Sequence, residues 1–139
     1  MSANLKKNDP EKARRFFADK IAFTTGPVEL SRNLKEGSDL VVIDVREAED
    51  YRKGHIPGAL SLPHDQWHTR EGLDKNKLNV LYCYTHVCHL AATAAVEFAA
   101  DGYPVMEMDG GFSAWTDNDL DTESGNAWET SGKREALAV

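Results

Sequence analysis

The chain has 139 residues, of which 41% are hydrophobic and 28% charged, with a formal net charge of −7. That length predicts one domain able to bury a core without staples, and no stretch approaches the ~18–20 consecutive apolar residues of a membrane-spanning helix. Ordinary glycine, proline and cysteine contents exclude collagen-like, disulfide-scaffold and wholly disordered classes, and the acidic balance argues against a sequence-independent nucleic-acid binder.

Asp9 followed by Pro10 reads as an N-cap and first helical residue. Ala13, Phe16, Phe17 and Ile21 then recur at helical spacing, which predicts a helix over about 10–23. Gly26-Pro27 breaks it, and Val28, Leu30 and Leu34 predict a second short helix stopped by Gly37. Residues 40–45, LVVIDV, form the continuous β-branched run of a strand buried on both faces. EAEDYRKG gives a polar helical turn or two, HIPG a turn, and ALSLP a short strand. Residues 64–77 are polar and irregular, with Trp67 anchoring a short helix. LNVLYC, 78–83, is a second buried strand. In LAATAAVEFAA, Thr93 and Glu97 share a helix face with Asp101, opposite Leu90, Ala91, Ala94, Ala95 and Phe98, and Gly102 suits the C-cap. VMEM, 105–108, makes a further strand and GGFSAW opens another short helix. Strands alternating with helices imply an α/β fold with a parallel sheet covered on both faces. Residues 117–139 carry six acids and two bases and read as an acidic tail, poorly ordered or loosely docked, with Trp128 its anchor if it docks.

The segment Cys83-Tyr84-Thr85-His86-Val87-Cys88-His89 carries the chemistry. Cys83 ends a buried parallel strand just before a helix, which is the sheet edge where open α/β proteins bind ligands. A backbone that curls there can aim N–H groups at the sulfur, and the following helix adds its positive end. Both favour thiolate, the reactive form. From Leu78 to Val96 there is no Lys, Arg, Asp or Glu, so fixed positive charge must come from amides and from His86 or His89. The residues alone leave other readings open. Cysteine is a common core filler, which covers both Cys83 and Cys88, and His86 and His89 can simply face water. Two cysteines in one segment form no disulfide framework. Together with an N-terminus lacking the apolar run of a secretory leader, they set a reducing, cytoplasmic location as the expectation.

Asp44-Val45-Arg46-Glu47, with Tyr51 and Gly54-His55-Ile56-Pro57-Gly58-Ala59, resembles the first signature of rhodanese-like domains. Leu81-Tyr82-Cys83 is similar to that family's catalytic strand and loop start. Gly102-Tyr103, Met108-Asp109-Gly110-Gly111-Phe112 and Ala114-Trp115 resemble its C-terminal pattern. The resemblance implies a single rhodanese-like domain over 27–116, a five-stranded, mostly parallel sheet flanked by helices on both faces. A helical extension over 1–26 precedes it and the acidic tail over 117–139 follows. It also implies a sulfurtransferase or persulfide carrier in which Cys83 accepts a sulfane sulfur and passes it to a thiol or other nucleophile, without metal or organic cofactor. The implied partners are a small-molecule or protein sulfur donor and a thiol acceptor, with neither nucleic acid nor membrane. Tyr84, Thr85, His86, Val87, Cys88 and His89 form the substrate loop.

Members that use thiosulfate carry glycine and an Arg, Lys or Thr in this loop. Here it lacks glycine and any cation beyond His86, so a neutral or peptide-bound persulfide is the expected donor. Cys88, at the loop's end, is a candidate resolving thiol that closes a disulfide onto Cys83. Asp44 and Arg46 are expected to hold the turn after the first core strand, with Arg46 reaching Glu49 or Asp50, and His55 to hydrogen-bond backbone. Three other functions compete. One is a non-catalytic interaction module of the same fold. A phosphatase or arsenate reductase would need an oxyanion-clamping Arg where His89 stands. A metal site made of Cys83, His86, Cys88 and His89 would crowd its ligands into seven residues.

Overall fold

In the computed structural model, which describes residues 5–125, the apolar runs become a five-stranded sheet. The elements in chain order are α1 (Pro10–Phe23), β1 (Thr24–Thr25), α2 (Pro27–Lys35), β2 (Leu40–Asp44), α3 (Ala48–Lys53), β3 (Leu60–Ser61), β4 (Leu78–Tyr82), α4 (Leu90–Ala100), β5 (Val105–Met108) and α5 (Gly111–Asp117), with a 3₁₀ turn over His64–Thr69. The strand order is β1-β5-β4-β2-β3 and every pairing is parallel. The expected helix over 10–23 begins as its sequence dictates, with the Asp9 carboxylate accepting from the Glu11 amide at 3.0 Å and Pro10 in the first turn.

Side chains alternate across a strand, so the sheet builds two cores. Val42, Val80, Tyr82 and Met108 face one side and pack with Leu30 of α2, Tyr51 of α3 and Trp115 of α5. Ile43, Val45, Leu81 and Cys83 face the other and pack with Trp67 and with Ala91, Ala94 and Phe98 of α4. Val42 lies beside Val80 and Asp44 beside Tyr82, so the carboxyl ends of β2 and β4 finish together. One buried polar residue locks the opposite end: the Asn79 amide donates to the carbonyls of Asp74, Lys77 and Pro104 and accepts from the Asp74 amide.

One element departs from the sequence expectation, and the packing of another was left open by it. The Thr-Thr pair of β1, which has no apolar signature, adds an edge strand beside β5. The apolar arc of α1 does not pack: Phe16 is 61%, Phe17 55% and Ile21 78% exposed. Beyond α5 the chain returns across the domain. The Trp115 indole donates to the Asp121 carbonyl at 2.8 Å, and His55 and Glu123 exchange backbone hydrogen bonds of 2.9 and 3.0 Å. The Glu123 carboxylate accepts from the Gly58 amide at 2.7 Å, and the Gly125 amide donates to the Arg52 carbonyl. Trp128 and the rest of the acidic tail lie outside the described residues.

Candidate active site

Cys83 follows the last residue of β4, and α4 opens at Leu90. The intervening loop is held from three directions. From α5, the amides of Phe112 and Ser113 donate to the carbonyls of Cys83 and Tyr84 at 2.8 and 2.9 Å. That approach requires Gly111, whose φ is +65°; a Cβ there would meet Tyr84 and Thr85 backbone at 2.6–2.7 Å. From α3, the Tyr84 hydroxyl donates to Asp50 Oδ2 at 2.6 Å and accepts from the Glu47 amide at 3.1 Å. From α4, the Thr93 amide and hydroxyl both donate to the His89 carbonyl, at 2.9 and 2.8 Å. Within the loop the Cys88 amide donates to the Thr85 carbonyl, closing a tight turn.

The turn brings Cys83 and Cys88 together and leaves the two sulfurs in different settings. Cys83 is 2% exposed, among Ile43, Leu62 and Ala91, and its thiol donates to the Cys88 carbonyl at 3.5 Å. Burial, with a hydrogen bond to the Cys88 side chain, pushes its pKa up to about 11, against the opposing pull of the Ala91 and Tyr84 amides. Cys88 is only partly buried. Burial raises its pKa too, but the hydrogen bond from Cys83 and the amides of Leu90, Tyr84 and Thr85 outweigh that and lower it. This corrects the sequence expectation, which put the stabilised thiolate on Cys83. Amides of the loop and of α4 pull both thiols toward thiolate, but the net pKa is lowered only at Cys88, because Cys83 sits deeper in hydrocarbon.

Of the other loop residues, Tyr84 and Thr85 are half-buried, whereas His86, Val87 and His89 are exposed. The loop itself carries no Lys or Arg. Arg46 was expected to reach Glu49 or Asp50; instead its guanidinium folds back on Asp44, with contacts of 2.8–3.2 Å, and donates to the Gly54 carbonyl at 2.6 Å. Asp44 is fully buried and also takes the Tyr82 hydroxyl at 2.6 Å, so a buried neighbour at i−2 wins over the two at helical spacing. Arg46 lies over the Phe112 ring at 4.1 Å. Near the loop's other flank, Glu107 is half-buried, with its carboxyl raised by burial and by Asp109 and lowered by His89.

His55 meets expectation: Nδ1 is 2.8 Å from the Tyr51 carbonyl, and its ring stacks on Tyr51 at 3.7 Å. Among the described residues no group of three or more His, Cys, Asp or Glu side chains converges in a metal-ligating arrangement. The anchors Glu47, Asp50, Phe112 and Ser113 were not foreseen; they act mostly through backbone groups or across long sequence separations and leave no local pattern.

A family model described as the rhodanese-like domain matches residues 26–118. The chain is similar to the probable adenylyltransferase/sulfurtransferase MoeZ of Mycobacterium tuberculosis, with 38% identity over 95 residues covering 66% of this chain and 24% of that protein. It therefore spans only a minor part of that relative's length. It is also similar to the thiosulfate sulfurtransferase GlpE of Shewanella oneidensis, 30% identical over 84 residues, covering 59% of this chain and 81% of GlpE. Among solved structures, the BH2092 protein of Bacillus halodurans superposes with a TM-score of 0.77 at 34% identity, covering 84% of this chain and 87% of that one.

Proposed function

The chain belongs to the rhodanese-like domain family, and on that premise we propose that it is a sulfurtransferase or persulfide carrier acting through Cys83. The observation that carries this is the loop itself: a cysteine just past the carboxyl end of β4, its backbone fixed by the Phe112 and Ser113 amides, with the Tyr84 and Ala91 amides drawing its pKa down against burial. In the proposed step the Cys83 thiol attacks the outer sulfur of a persulfide R–S–SH. The donor's S–S bond breaks, RSH leaves with the displaced proton, and Cys83–S–SH remains in the loop. A thiol or other nucleophile then takes the outer sulfur. A persulfide ionises far more readily than a buried thiol, so the same N–H groups hold the loaded state better than the empty one.

The electrostatics favour a neutral or peptide-borne persulfide over a doubly charged donor such as thiosulfate. Arg46 is committed to Asp44, Glu107 stands on the flank, and the loop has no Lys or Arg. His86 and His89 are the exposed groups that would meet a donor. The need for reduced thiols fits the cytoplasm, and among the described residues no helix is long and apolar enough to cross a membrane.

The near-complete burial of Cys83 favours a second reading, an interaction module whose loop no longer reacts. Intact mass spectrometry after treatment with a small alkyl persulfide separates the two. The sulfurtransferase reading expects one added sulfur on Cys88→Ala, where only Cys83 can hold it, and none on Cys83→Ser; no gain on Cys88→Ala leaves the interaction module.

A further inference from the structure

A deep thiol behind a shallow one poses a reach problem for any acceptor. To collect sulfur from Cys83 an outside nucleophile must reach a side chain that is 2% exposed, whereas the loop already folds Cys88 against it: the Cys83 thiol donates to the Cys88 carbonyl at 3.5 Å and hydrogen-bonds the Cys88 side chain. Val87, 71% exposed, stands beside it on the crest of the loop. Cys88 is thus the nucleophile already in place. Its setting suits attack: it is the less buried of the pair, and the Leu90, Tyr84 and Thr85 amides pull its thiol toward thiolate.

We propose that Cys88 is itself an acceptor, attacking the inner sulfur of the Cys83 persulfide so that the transferred sulfur leaves as sulfide and a Cys83–Cys88 disulfide closes. This deepens the sulfurtransferase reading and rests on it, since there must first be a persulfide on Cys83. The step balances as Cys83–S–SH plus Cys88–S⁻ giving Cys83–S–S–Cys88 plus HS⁻. The S–S bond between Cys83 and the carried sulfur breaks and a new one forms to Cys88. The Cys88 sulfur goes from −2 to −1, the outer sulfur goes from −1 to −2, and the Cys83 sulfur stays at −1. No outside oxidant is required, and an external dithiol reductant returns the pair to its starting state. The direction follows from thiol–disulfide chemistry, in which the ionised thiol attacks and the better leaving group departs. The lowered pKa of Cys88 and the stability of hydrosulfide supply both. The protein would then have an activity distinct from sulfur delivery: reduction of persulfides to sulfide at the expense of a dithiol.

The experiment loads wild type, Cys88→Ser, Cys88→Ala and Cys83→Ser with glutathione persulfide, removes small molecules, and follows intact mass and released sulfide with no thiol added. The expected result is that the wild type releases stoichiometric sulfide, loses two hydrogens, and yields a Cys83–Cys88 crosslinked peptide. Both Cys88 variants instead keep the added sulfur until a thiol is supplied, and that uptake also shows that they fold. If the wild type holds its added sulfur as long as the Cys88 variants do, or if sulfide leaves without the crosslink, the resolving role is overturned while the sulfurtransferase reading stands. If no variant and no wild type takes up sulfur, the parent reading fails and the resolving step fails with it.

Discussion

At the scale of single residues, the two thiols titrate in opposite directions. Cys88 is lowered and Cys83 is raised to about 11. Alkylation by iodoacetamide across a pH series, mapped by peptide mass, should modify Cys88 first and reach Cys83 only as the pH approaches its raised value. Part of the Cys83 rise comes from the Cys88 side chain, so Cys88→Ala should move the Cys83 midpoint downward from about 11, read by thiolate ultraviolet absorbance. Because folding raises the Cys83 pKa, its contribution to stability is whole below the ordinary value of 9.0 and is lost as the pH climbs through about 11. Relative to Cys83→Ser, the wild type's denaturation midpoint should fall across that window. Arg46 has a different task. Asp44 lies at zero exposure with the guanidinium as its charge partner, and Arg46→Ala would strand a buried carboxylate, a change that typically costs ~3–5 kcal/mol. Urea unfolding measures it.

At the scale of elements, the helices and long strands were legible because each has a local signature. The Asp9-Pro10 start, the LVVIDV and LNVLYC runs and the alanine face of α4 each state their own conformation. β1 was not legible, because two threonines carry no periodicity and pair only once β5 is beside them. The helix over 10–23 could be read, but not that its apolar arc would stay uncovered, since amphipathicity says which face is apolar and not whether anything meets it. In the active loop the sequence located both cysteines and the amide cradle. It could not rank the two sulfurs, because depth in the core depends on how Ile43, Leu62 and Ala91 close around Cys83. The clamp from α5 was equally out of view, being made of backbone atoms. Its requirement is sharp: Gly111→Ala places a methyl 2.6 Å from the Tyr84 backbone at a φ of +65°. The expected outcome is a displaced loop, with a loss of sulfur uptake larger than the accompanying drop in melting temperature would explain.

At the scale of the whole molecule, the chain carries a net charge of −7 and its loop after β4 has no Lys or Arg to meet an incoming dianion. Thiosulfate should therefore turn over poorly, and His86→Arg should raise kcat/KM for thiosulfate more than for a persulfide donor, since only the dianion gains fully from the new charge. The family match ends at residue 118, yet the domain's hydrogen bonds do not. The segment after α5 supplies the backbone partner of His55 and the carboxylate over Gly58, and it reaches Arg52 through Gly125. A version trimmed to the boundary at 118 would uncover an imidazole that is otherwise fully shielded and sever the strap that covers it. Chains ending at 118 and at 125 should differ in thermal unfolding even though both contain every residue of the loop after β4.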